Sequence, residues 1–502
     1  MRYNLIISLF LLLSFQSVLL SQTVWKTDSV TIQGKVINHK KDKGLNTINF
    51  HFTEITDRSQ DKTFIAEIDS LGRFSKKIPV SYTQDFNLRY GDNFTNLFCA
   101  PGDDIVLSVG SVDSNHSGVD PFIKVVGGTR MKDNNDYMRF MDEKSKVNIP
   151  EDKDLYKNKS VTDFKLFIGN REKEYRKYLD DFKKENHTSE LFNRITDDHI
   201  KYESLSDIMC YPFEYALQNN VNRDSVQLPT DFYNFLQQYD KNNSHLFSRK
   251  HAYFLYLYYR HAINTPKDSL NKANQLFKQK NTIGGANVLQ TMIMGNTSGF
   301  IRDICLSTLY LDAIEGKQLN EFEAIYHPTY ISNSFIAKNI DKEYKELKKF
   351  MSNQKTKNAN LRSIKSSIVS NLIDTISSRY SGKVIYVDFW APWCGPCMEE
   401  MPNSKALQLE YKNKDVIFLF LANRCSEESW KATIANKGLT GEHILLTDDQ
   451  FNVLAEKFGI SGIPHYVLID KKGTIISQNA TRPSEKEALM ENINKLLEPN
   501  SK

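Results

Sequence analysis

Cysteine is scarce in this sequence, and a strong net charge of either sign is absent. Six cysteines among 502 residues are too few for a disulfide-rich scaffold. A formal net charge of +4, with basic residues spread along the chain, argues against a general nucleic-acid binder. Because the length exceeds what one hydrophobic core normally supports, the sequence predicts two to four domains. The strand and helix patterns along the chain then predict the multidomain α+β class.

Long hydrophobic runs are almost absent. The run Leu5–Leu20 follows Arg2 and precedes Ser21, a pattern typical of a secretory signal peptide. We therefore expect residues 1–21 to be a signal peptide removed near Ser21, with an uncleaved membrane anchor as the alternative. No cysteine follows the run to accept a lipid, and no other stretch is apolar enough to cross a membrane. The sequence thus predicts a protein that is soluble in the periplasm after cleavage.

Three cysteines stand alone in apolar contexts. Cys99, Cys210 and Cys305 are expected to be buried as small hydrophobic side chains. Since disulfides persist outside the cytosol, a bridge between Cys210 and Cys305 stays open as an alternative.

The N-terminal part of the mature chain shows the period of β-strands. Short runs rich in Val, Ile, Phe and Thr alternate with Gly, Asp and Asn turns, as in "SVTIQGKVIN" and "TINFHFTEI". We expect residues 23–128 to form an antiparallel β-sandwich, acting as a spacer or docking domain without chemistry.

The middle part changes to a helical period and contains little Gly or Pro. Apolar residues recur three and four apart in Val161–Lys184, His251–Ile263 and Phe322–Met351. The sequence predicts an all-α domain over residues 129–360. It also predicts a polar linker over Met351–Ser363.

The C-terminal part, residues 361–502, alternates helices and strands. Strands are predicted in "KVIYVDF", "DVIFLFLA", "HYVLID" and "GTIISQ". Helices are predicted over Ser366–Tyr380, after the cysteine pair, in "EESWKATIANKG", in "DQFNVLAEKFG" and at the C-terminus. This alternation predicts an α/β sheet covered on both faces, and we expect this domain to fold alone.

The chemistry is concentrated in "VDFWAPWCGPCMEEMP", Val387–Pro402. No second C-x-x-C or neighbouring histidine pair completes a zinc site around Cys394 and Cys397. Met398 stands where haem attachment needs histidine, and Ala391 stands where a peroxidatic motif has threonine. What remains is dithiol–disulfide chemistry.

The residues between and after the cysteines suit that chemistry. If Cys394 begins the following helix, the helix N-terminus lowers its thiol pKa from about 8.5 into the range of about 3.5 to 7.5, and Cys394 is the attacking sulfur. Cys397, three residues later, lies within disulfide reach and resolves the mixed disulfide. Pro396 suits a first helical turn and Gly395 permits close approach of another chain, so both are candidate substrate-binding residues.

With "EKFGISGIPHYVLIDKKG", this motif resembles the thioredoxin superfamily, specifically its exported TlpA-like and ResA-like branch, over about Ser363–Lys502. The resemblance implies a thioredoxin-like fold. It also implies that Asp388 is a buried acid of raised pKa that takes the proton from Cys397. Pro464 matches a proline preceded by a cis peptide bond, which leaves the backbone of Ile463 for pairing with substrate.

The resemblance also assigns the surroundings of the cysteines, and the sequence departs from it in two places. Trp390 and Trp393 match an aromatic cover, with Trp393 in contact with substrate, and Pro402 matches a proline that kinks the helix. Many thioredoxins carry a lysine near the buried acid, whereas "VIFLFLA" has none. Cys425, just after that strand, is either an incidental loop cysteine or a third redox thiol.

These observations predict a periplasmic thiol-disulfide oxidoreductase that reduces disulfides of exported proteins. A reductant in that compartment implies a membrane dithiol as electron donor. We expect no cofactor, no metal and no nucleic-acid partner. The alternatives are a disulfide oxidase or isomerase on the same fold, and a binding protein whose N-terminal domains carry the main role.

Overall fold

The computed structural model of the protein describes most of the chain after the first strand begins. The described residues are 28–39, 45–53, 55, 61–110, 122–147, 156–157, 159–239, 246–356, 359–363 and 378–498. The predicted signal peptide lies outside them, as does most of the helix predicted over Ser366–Tyr380. The chain divides into two compact units, one comprising Met1–Leu309 with His327–Ala337, the other Tyr310–Tyr326 with Lys338–Lys502.

The first unit begins with two β-sheets. Its strands are β1 (Asp28–Val36), β2 (Thr47–Thr53), β3 (Asp61–Glu67), β4 (Arg73–Val80), β5 (Thr83–Tyr90), β6 (Asn93–Cys99), β7 (Asp104–Val109), β8 (Ile123–Gly128) and β9 (Leu246–Phe247). One sheet has the order β4-β1-β7-β8, and the other has the order β3-β2-β5-β6 with β9 beside β5.

Alternation along the strands explains how the two sheets share a core. In β1 the residues Val30, Ile32 and Val36 are buried, and the residues between them are less so. Buried residues of both sheets form one hydrophobic cluster, in which the rings of Phe52 and Phe86 stack with centroids 4.6 Å apart. The apolar face of each sheet is therefore removed from water against the other.

The expectation of purely antiparallel strands was wrong at two pairings. β1 pairs with β7 in parallel, and β9 pairs with β5 in parallel. Parallel neighbours need a long crossover connection, and between β1 and β7 the chain runs through β2, β3, β5 and β6 of the other sheet. The alternating sequence pattern does not reveal strand direction, because it reports only which residues face the core.

The helices that follow β8 in the sequence and precede the cysteine motif are mostly long. They are α1 (Met131–Lys144), α2 (Val161–Asn186), α3 (Glu190–Gln218), α4 (Arg249–Asn264), α5 (Lys267–Lys278), α6 (Thr282–Asn296), α7 (Gly299–Glu315), α8 (Leu319–Ile325) and α9 (Ser334–Ser352). α2, α3 and α4 each begin after a serine whose side chain accepts a backbone hydrogen bond from the first turn: Ser160, Ser189 and Ser248.

Two predictions for this region were wrong. The helical period over Phe322–Met351 is interrupted between α8 and α9, where Pro328 stands in a short 3-10 turn and lacks the backbone N–H that helix continuation needs. The region is also not purely helical, because β9 lies within it. A two-residue strand leaves no period in the sequence.

Helix α1 covers one edge of each sheet through adjacent asparagines. The Asn134 side chain exchanges two hydrogen bonds with the backbone of Phe98 in β6, at 2.8 and 3.0 Å. Asn135 does the same with Val125 in β8, at 3.1 and 2.7 Å. Backbone N–H and carbonyl groups at the edge of a sheet can pair with strands of other chains when they have no partner. The two asparagine side chains provide hydrogen-bond partners for such groups at Phe98 and Val125.

The second unit contains a six-stranded mixed sheet. Its elements are β10 (Ala359–Ser363), β11 (Val384–Trp390), α10 (Gly395–Glu410), β12 (Val416–Ala422), α11 (Glu427–Lys437), β13 (Gly441–Leu445), α12 (Asp448–Phe458), β14 (His465–Ile469), β15 (Ile475–Ser477) and α13 (Lys486–Leu497). The strand order is β10-β13-β12-β11-β14-β15. β10, β13, β12 and β11 run parallel to one another, β14 pairs with β11 in antiparallel fashion, and β15 pairs with β14 in antiparallel fashion.

Helices cover both faces of this sheet, as the sequence predicts. Residues alternate along β11, so that Ile385, Val387 and Phe389 enter one core cluster and Tyr386 and Trp390 enter the other. The second of these clusters also holds both cysteines of the motif. The cysteine pair therefore lies on the face of the sheet that Tyr386 and Trp390 share.

The predicted linker was wrong at both of its ends. α9 continues to Ser352, and residues 359–363 form β10, which pairs with β13. β13 was missed because the segment carries Glu442 and His443, which are buried polar residues in the structure. Nor did the sequence reveal that Asn436 of α11 donates to the carbonyl of Phe350 and bonds to Asn353.

We expect a fragment covering residues 338–502 to be more stable than one covering residues 364–502. The shorter fragment lacks β10 and the Phe350 and Asn353 contacts to Asn436. Losing a few backbone and side-chain hydrogen bonds lowers the melting temperature by about 5 °C or more for a domain of this size. Thermal circular dichroism of both fragments measures this difference. Equal melting temperatures would mean that β10 and α9 add nothing to the fold.

Among the helices that the structure describes, none is both long and apolar enough to span a membrane. The predicted domain boundaries at residues 128 and 360 stay predictions.

Candidate active site

The two cysteines of the motif form a disulfide where β11 passes into α10. Cys394 is the residue that caps α10, and Cys397 lies three residues later in its first turn. Their sulfur atoms are bonded, with Cα atoms 5.2 Å apart. The spacing of three therefore places both sulfurs on one side of the helix start, as the sequence predicts.

The start of α10 stabilises negative charge on Cys394. Its Sγ atom accepts a hydrogen bond from the backbone N–H of Cys397 at 3.2 Å. Pro396 fills the first turn, where a missing N–H leaves no helical hydrogen bond unmade. The helix dipole and this donor are both placed to stabilise a negative charge on the Cys394 sulfur.

The rim of the disulfide is open. Trp393 is 44% exposed, and its indole Nε1 donates to the carbonyl of Arg424 at 2.8 Å. Gly395 and Pro396 are exposed, and among the described residues no atom outside the neighbouring residues and the helix backbone lies within 4 Å of where a Cβ on Gly395 would stand. A second polypeptide can approach the disulfide on this side without moving a side chain.

A loop before β14 completes the rim. The Ile463–Pro464 peptide bond is cis, the geometry that the resemblance implied. The Sγ atom of Cys394 lies 3.6 Å from the carbonyl oxygen of Ile463. The structure thus brings Ile463 to the disulfide across 69 residues of sequence.

Asp388 is buried in β11 on the face of the sheet that holds the cysteines. It lies two residues from Tyr386 and two from Trp390, and its strand neighbours are Tyr466 in β14 and Phe420 in β12. Only 3% of it is exposed. Burial, and then the nearby charge of Glu400, raise the pKa of Asp388 to about 8. Phe420 opposite supplies no cation to oppose this shift.

A comparison with protein families matches the same residues. A family model described as Thioredoxin-like matches residues 382–475, which contain Asp388, the disulfide and the Ile463–Pro464 bond. The C-terminal domain belongs to the thioredoxin superfamily.

Curated proteins similar to part of this chain carry redox names. The thiol-disulfide oxidoreductase ResA of Bacillus thuringiensis subsp. konkukian is 30% identical over 120 residues, covering 23% of this chain and 65% of the relative. The thioredoxin-like protein YneN of Bacillus subtilis is 32% identical over 102 residues, covering 19% of this chain and 54% of that protein. The chain thus spans between about half and two thirds of these relatives.

Solved structures similar to part of this chain also carry such names. The thioredoxin domain of a thiol-disulfide oxidoreductase from Bacteroides vulgatus is 27% identical with a TM-score of 0.22, covering 24% of this chain and 84% of that one. A thiol:disulfide interchange protein from Bacteroides sp. is 26% identical with a TM-score of 0.23, covering 26% of this chain and 80% of that one.

One charged residue of the thioredoxin-like domain was not foreseen from the sequence. Glu400 is only 7% exposed, and its two carboxylate oxygens accept from the backbone N–H and the hydroxyl of Ser484, at 2.9 and 2.8 Å. Its spacing of three from Cys397 in a helix could have revealed it. The contact with Ser484 could not have been found, because 84 residues separate the partners.

The structure bears on the predicted roles of Trp390 and Cys425. Trp390 is fully buried in the core of the thioredoxin-like domain, so its predicted place in an aromatic cover was wrong, whereas Trp393 is exposed. Cys425 packs at the edge of the same core cluster, and burial raises the pKa of its thiol to about 12 despite a hydrogen bond with Ser429. So high a pKa disfavours the hypothesis of a third redox thiol, since the thiolate is the reactive form.

The remaining cysteines differ in burial. Cys99 and Cys305 are buried as predicted, whereas Cys210 is partly exposed, with its sulfur 3.4 Å from the hydroxyl of Tyr253. Neither Cys210 nor Cys305 is in a disulfide. Within the described stretches, no group of three or more His, Cys, Asp or Glu side chains is placed to hold a metal ion.

Proposed function

We propose that this protein is a thiol-disulfide oxidoreductase that reduces disulfides of exported proteins through Cys394 and Cys397. The observation that carries the proposal is a disulfide at a helix N-terminus with an open rim and a buried carboxyl group of raised pKa on the same face of the sheet. The names of the similar curated proteins support the same reaction class.

The reaction begins with the reduced protein. The Cys394 thiolate attacks one sulfur of the substrate disulfide, forms a mixed disulfide, and displaces the other substrate sulfur as a thiolate that takes a proton from water. Cys397 then gives its proton to the Asp388 carboxylate and attacks the Cys394 sulfur. The mixed disulfide breaks, the second substrate sulfur leaves as a thiolate that takes a proton from water, and the Cys394–Cys397 bond forms. Two electrons pass from the protein to the substrate.

Residues of the rim are proposed to hold the substrate. The exposed ring of Trp393 and the open surface at Gly395 and Pro396 offer contact area beside Cys394. The backbone of Ile463, held beside Cys394 by the turn at Pro464, is proposed to pair with an extended substrate segment.

We expect the Cys394–Cys397 pair to have a reduction potential nearer about −270 mV than about −120 mV, the thioredoxin and strong-oxidant ends of the known range. Strong oxidants owe their potential to an extreme stabilisation of the thiolate. Here no Lys or Arg stands between the cysteines, and an ionised Asp388 would oppose the thiolate.

Equilibration of the purified protein in graded glutathione buffers measures this potential. A pair that is mostly oxidised under mildly oxidising conditions supports the reductase. A pair that stays reduced there would instead indicate an oxidase or isomerase.

The location and the electron donor follow from the same proposal. We place the protein in the periplasm, because residues 1–21 have the pattern of a signal peptide. A reductant in that compartment needs electrons from across the membrane, so we propose a membrane dithiol as donor. We assign the N-terminal sheets and the helical region to partner docking.

A further inference from the structure

Two tyrosines on the face of Asp388 form a stacked pair but differ in their hydrogen bonds. The rings of Tyr386 and Tyr466 lie 5.5 Å apart with an angle of 9° between their planes, and both side chains are buried. The Tyr386 hydroxyl donates to the carbonyl of Thr481 at 2.7 Å. The Tyr466 hydroxyl has no hydrogen-bond partner among the residues described.

Asp388 has an unpartnered atom on the same face. Its Oδ1 is buried and finds no hydrogen bond within the described part of the chain. Asp388 and Tyr466 are direct neighbours across the β11–β14 pairing, which places their side chains on one face of the sheet. A buried polar group without a partner lowers stability, so two of them on residues paired across neighbouring strands call for an explanation.

We propose that Tyr466 is a positioning residue of the resolving step, whose hydroxyl serves the Asp388 carboxylate through one bridging water. The inference rests on the proposed function, because it concerns how Asp388 accepts the proton of Cys397. A water bridges two buried polar atoms that do not reach each other where the site has room for it and offers it polar partners, here the Asp388 carboxylate and the Tyr466 hydroxyl. Stacking on Tyr386, itself tied to Thr481, fixes the ring that carries the hydroxyl.

The role is to stabilise the ionised form of Asp388. A hydrogen bond donated toward a carboxylate favours its charged form, which is the form that accepts a proton. In the resolving step the Cys397 thiol loses its proton to Asp388, its sulfur bonds to Cys394, and the substrate sulfur leaves with the electron pair of the broken bond. Without Tyr466 the carboxylate is rarer at neutral pH, and the step is slower.

Charged and titratable groups face this pair from each neighbouring element. β12 contributes only Phe420 opposite Asp388. The groups that act on Asp388 or on the two tyrosines are Glu400 from α10, and Arg482 and Glu485 from the segment before α13. Burial and then Asp388 raise the pKa of both tyrosines, so their hydroxyls stay protonated and remain donors.

The test compares Tyr466→Phe with the matched control Tyr386→Phe in the full chain. Both changes remove one hydroxyl from the same stack. Reduced protein, with Cys210 and Cys425 replaced by serine, is mixed with one equivalent of the aromatic disulfide DTNB. Release of the first thiolate reports the attack of Cys394, and release of the second reports resolution by Cys397. Both rates are followed from pH 5 to pH 10.

We expect Tyr466→Phe to slow the second release at least threefold at pH 7 and to move its pH midpoint upward, with the first release unchanged. Tyr386→Phe should keep the wild-type midpoint. In an Asp388→Asn background, Tyr466→Phe should have no further effect, because the group it serves is gone.

An unchanged midpoint for Tyr466→Phe would overturn the inference, as would a full additional loss in the Asp388→Asn background. Neither result would contradict the proposed function, because both concern only the role of Tyr466. That function fails separately if the wild-type protein releases no second thiolate at any pH.

Discussion

Replacing Cys394 with serine is expected to abolish turnover and mixed-disulfide formation, whereas Cys397→Ser should retain the first attack and accumulate mixed disulfides. Cys394 caps α10 and accepts a hydrogen bond from the N–H of Cys397, so it is the sulfur whose thiolate the helix stabilises. Cys397 is 1% exposed, against 4% for Cys394, so it is the less accessible of the two cysteines to a protein substrate. Replacing Cys397 therefore prevents only the second step, in which the mixed disulfide is resolved.

Insulin reduction with dithiothreitol measures turnover, and non-reducing mass spectrometry measures the trapped species. We expect at least a thousandfold loss of turnover for both variants, since both steps are needed in each cycle. Cys425→Ser is the matched control, because this thiol has a pKa raised to about 12 by burial and no part in the proposed reaction.

The same Cys397→Ser variant tests the partner class. Its mixed disulfides should contain exported proteins when it is expressed with its own N-terminal segment.

If iodoacetamide modifies Cys397 faster than Cys394 in the reduced wild-type protein, the roles of attacking and resolving cysteine are exchanged. Capture of cytosolic proteins alone would contradict export.

Replacing Asp388 with asparagine is expected to stabilise the C-terminal domain above pH 8 while slowing the resolving step. The carboxyl ionises near pH 3.8 in the unfolded chain and near pH 8 in the folded one, because burial and then Glu400 disfavour its charge. Between these values the unfolded chain has released a proton that the folded chain retains. Stability therefore falls as pH rises from about 4 to about 8 and is constant above that range.

The size of this effect follows from the pKa difference. A shift of about four units corresponds to a penalty on the order of 5 kcal/mol once the carboxyl is ionised. The asparagine amide is also a buried polar group, so the substitution recovers only part of this penalty. We expect Asp388→Asn to raise the free energy of unfolding by at least about 2 kcal/mol at pH 9.

Urea unfolding of the oxidised protein at pH 5 and pH 9 measures the gain. Tryptophan fluorescence suits it, because Trp390, Trp393 and Trp430 all lie in the second unit. Asp449→Asn, the same change at an exposed site of this domain, should leave the pH dependence as in the wild type. A wild-type stability that is flat from pH 4 to pH 8 would mean that Asp388 is not held protonated.

The same Asp388→Asn substitution should slow the resolving step. Asparagine cannot accept the proton of Cys397, so the second thiolate in the DTNB experiment should be released at least tenfold more slowly at pH 7. The first release should stay close to wild type at pH 7, because burial keeps Asp388 mostly protonated there and the carboxyl group does not oppose the Cys394 thiolate, which the helix start stabilises.

Local sequence patterns determined much of the fold. The alternation in Asp28–Val36 and the apolar run Val384–Trp390 predict strands, and Ser160 before Val161 begins a helix. These features depend on neighbours in the chain, so the sequence shows them directly. Pairing direction depends on distant segments, which is why the parallel β1–β7 pair was not foreseen.

Within the candidate site, the sequence by itself determined the pair Cys394 and Cys397, the helix start that holds them, and the presence of Asp388 six residues earlier. These belong to one continuous stretch, where spacing alone places side chains on a face. Only the tertiary structure decided that Trp390 is buried and Trp393 exposed, that Ser484 holds Glu400, and that Tyr466 stands beside Asp388. The physical reason is that burial and charge environment arise from contacts between segments far apart in sequence, and no local period encodes them.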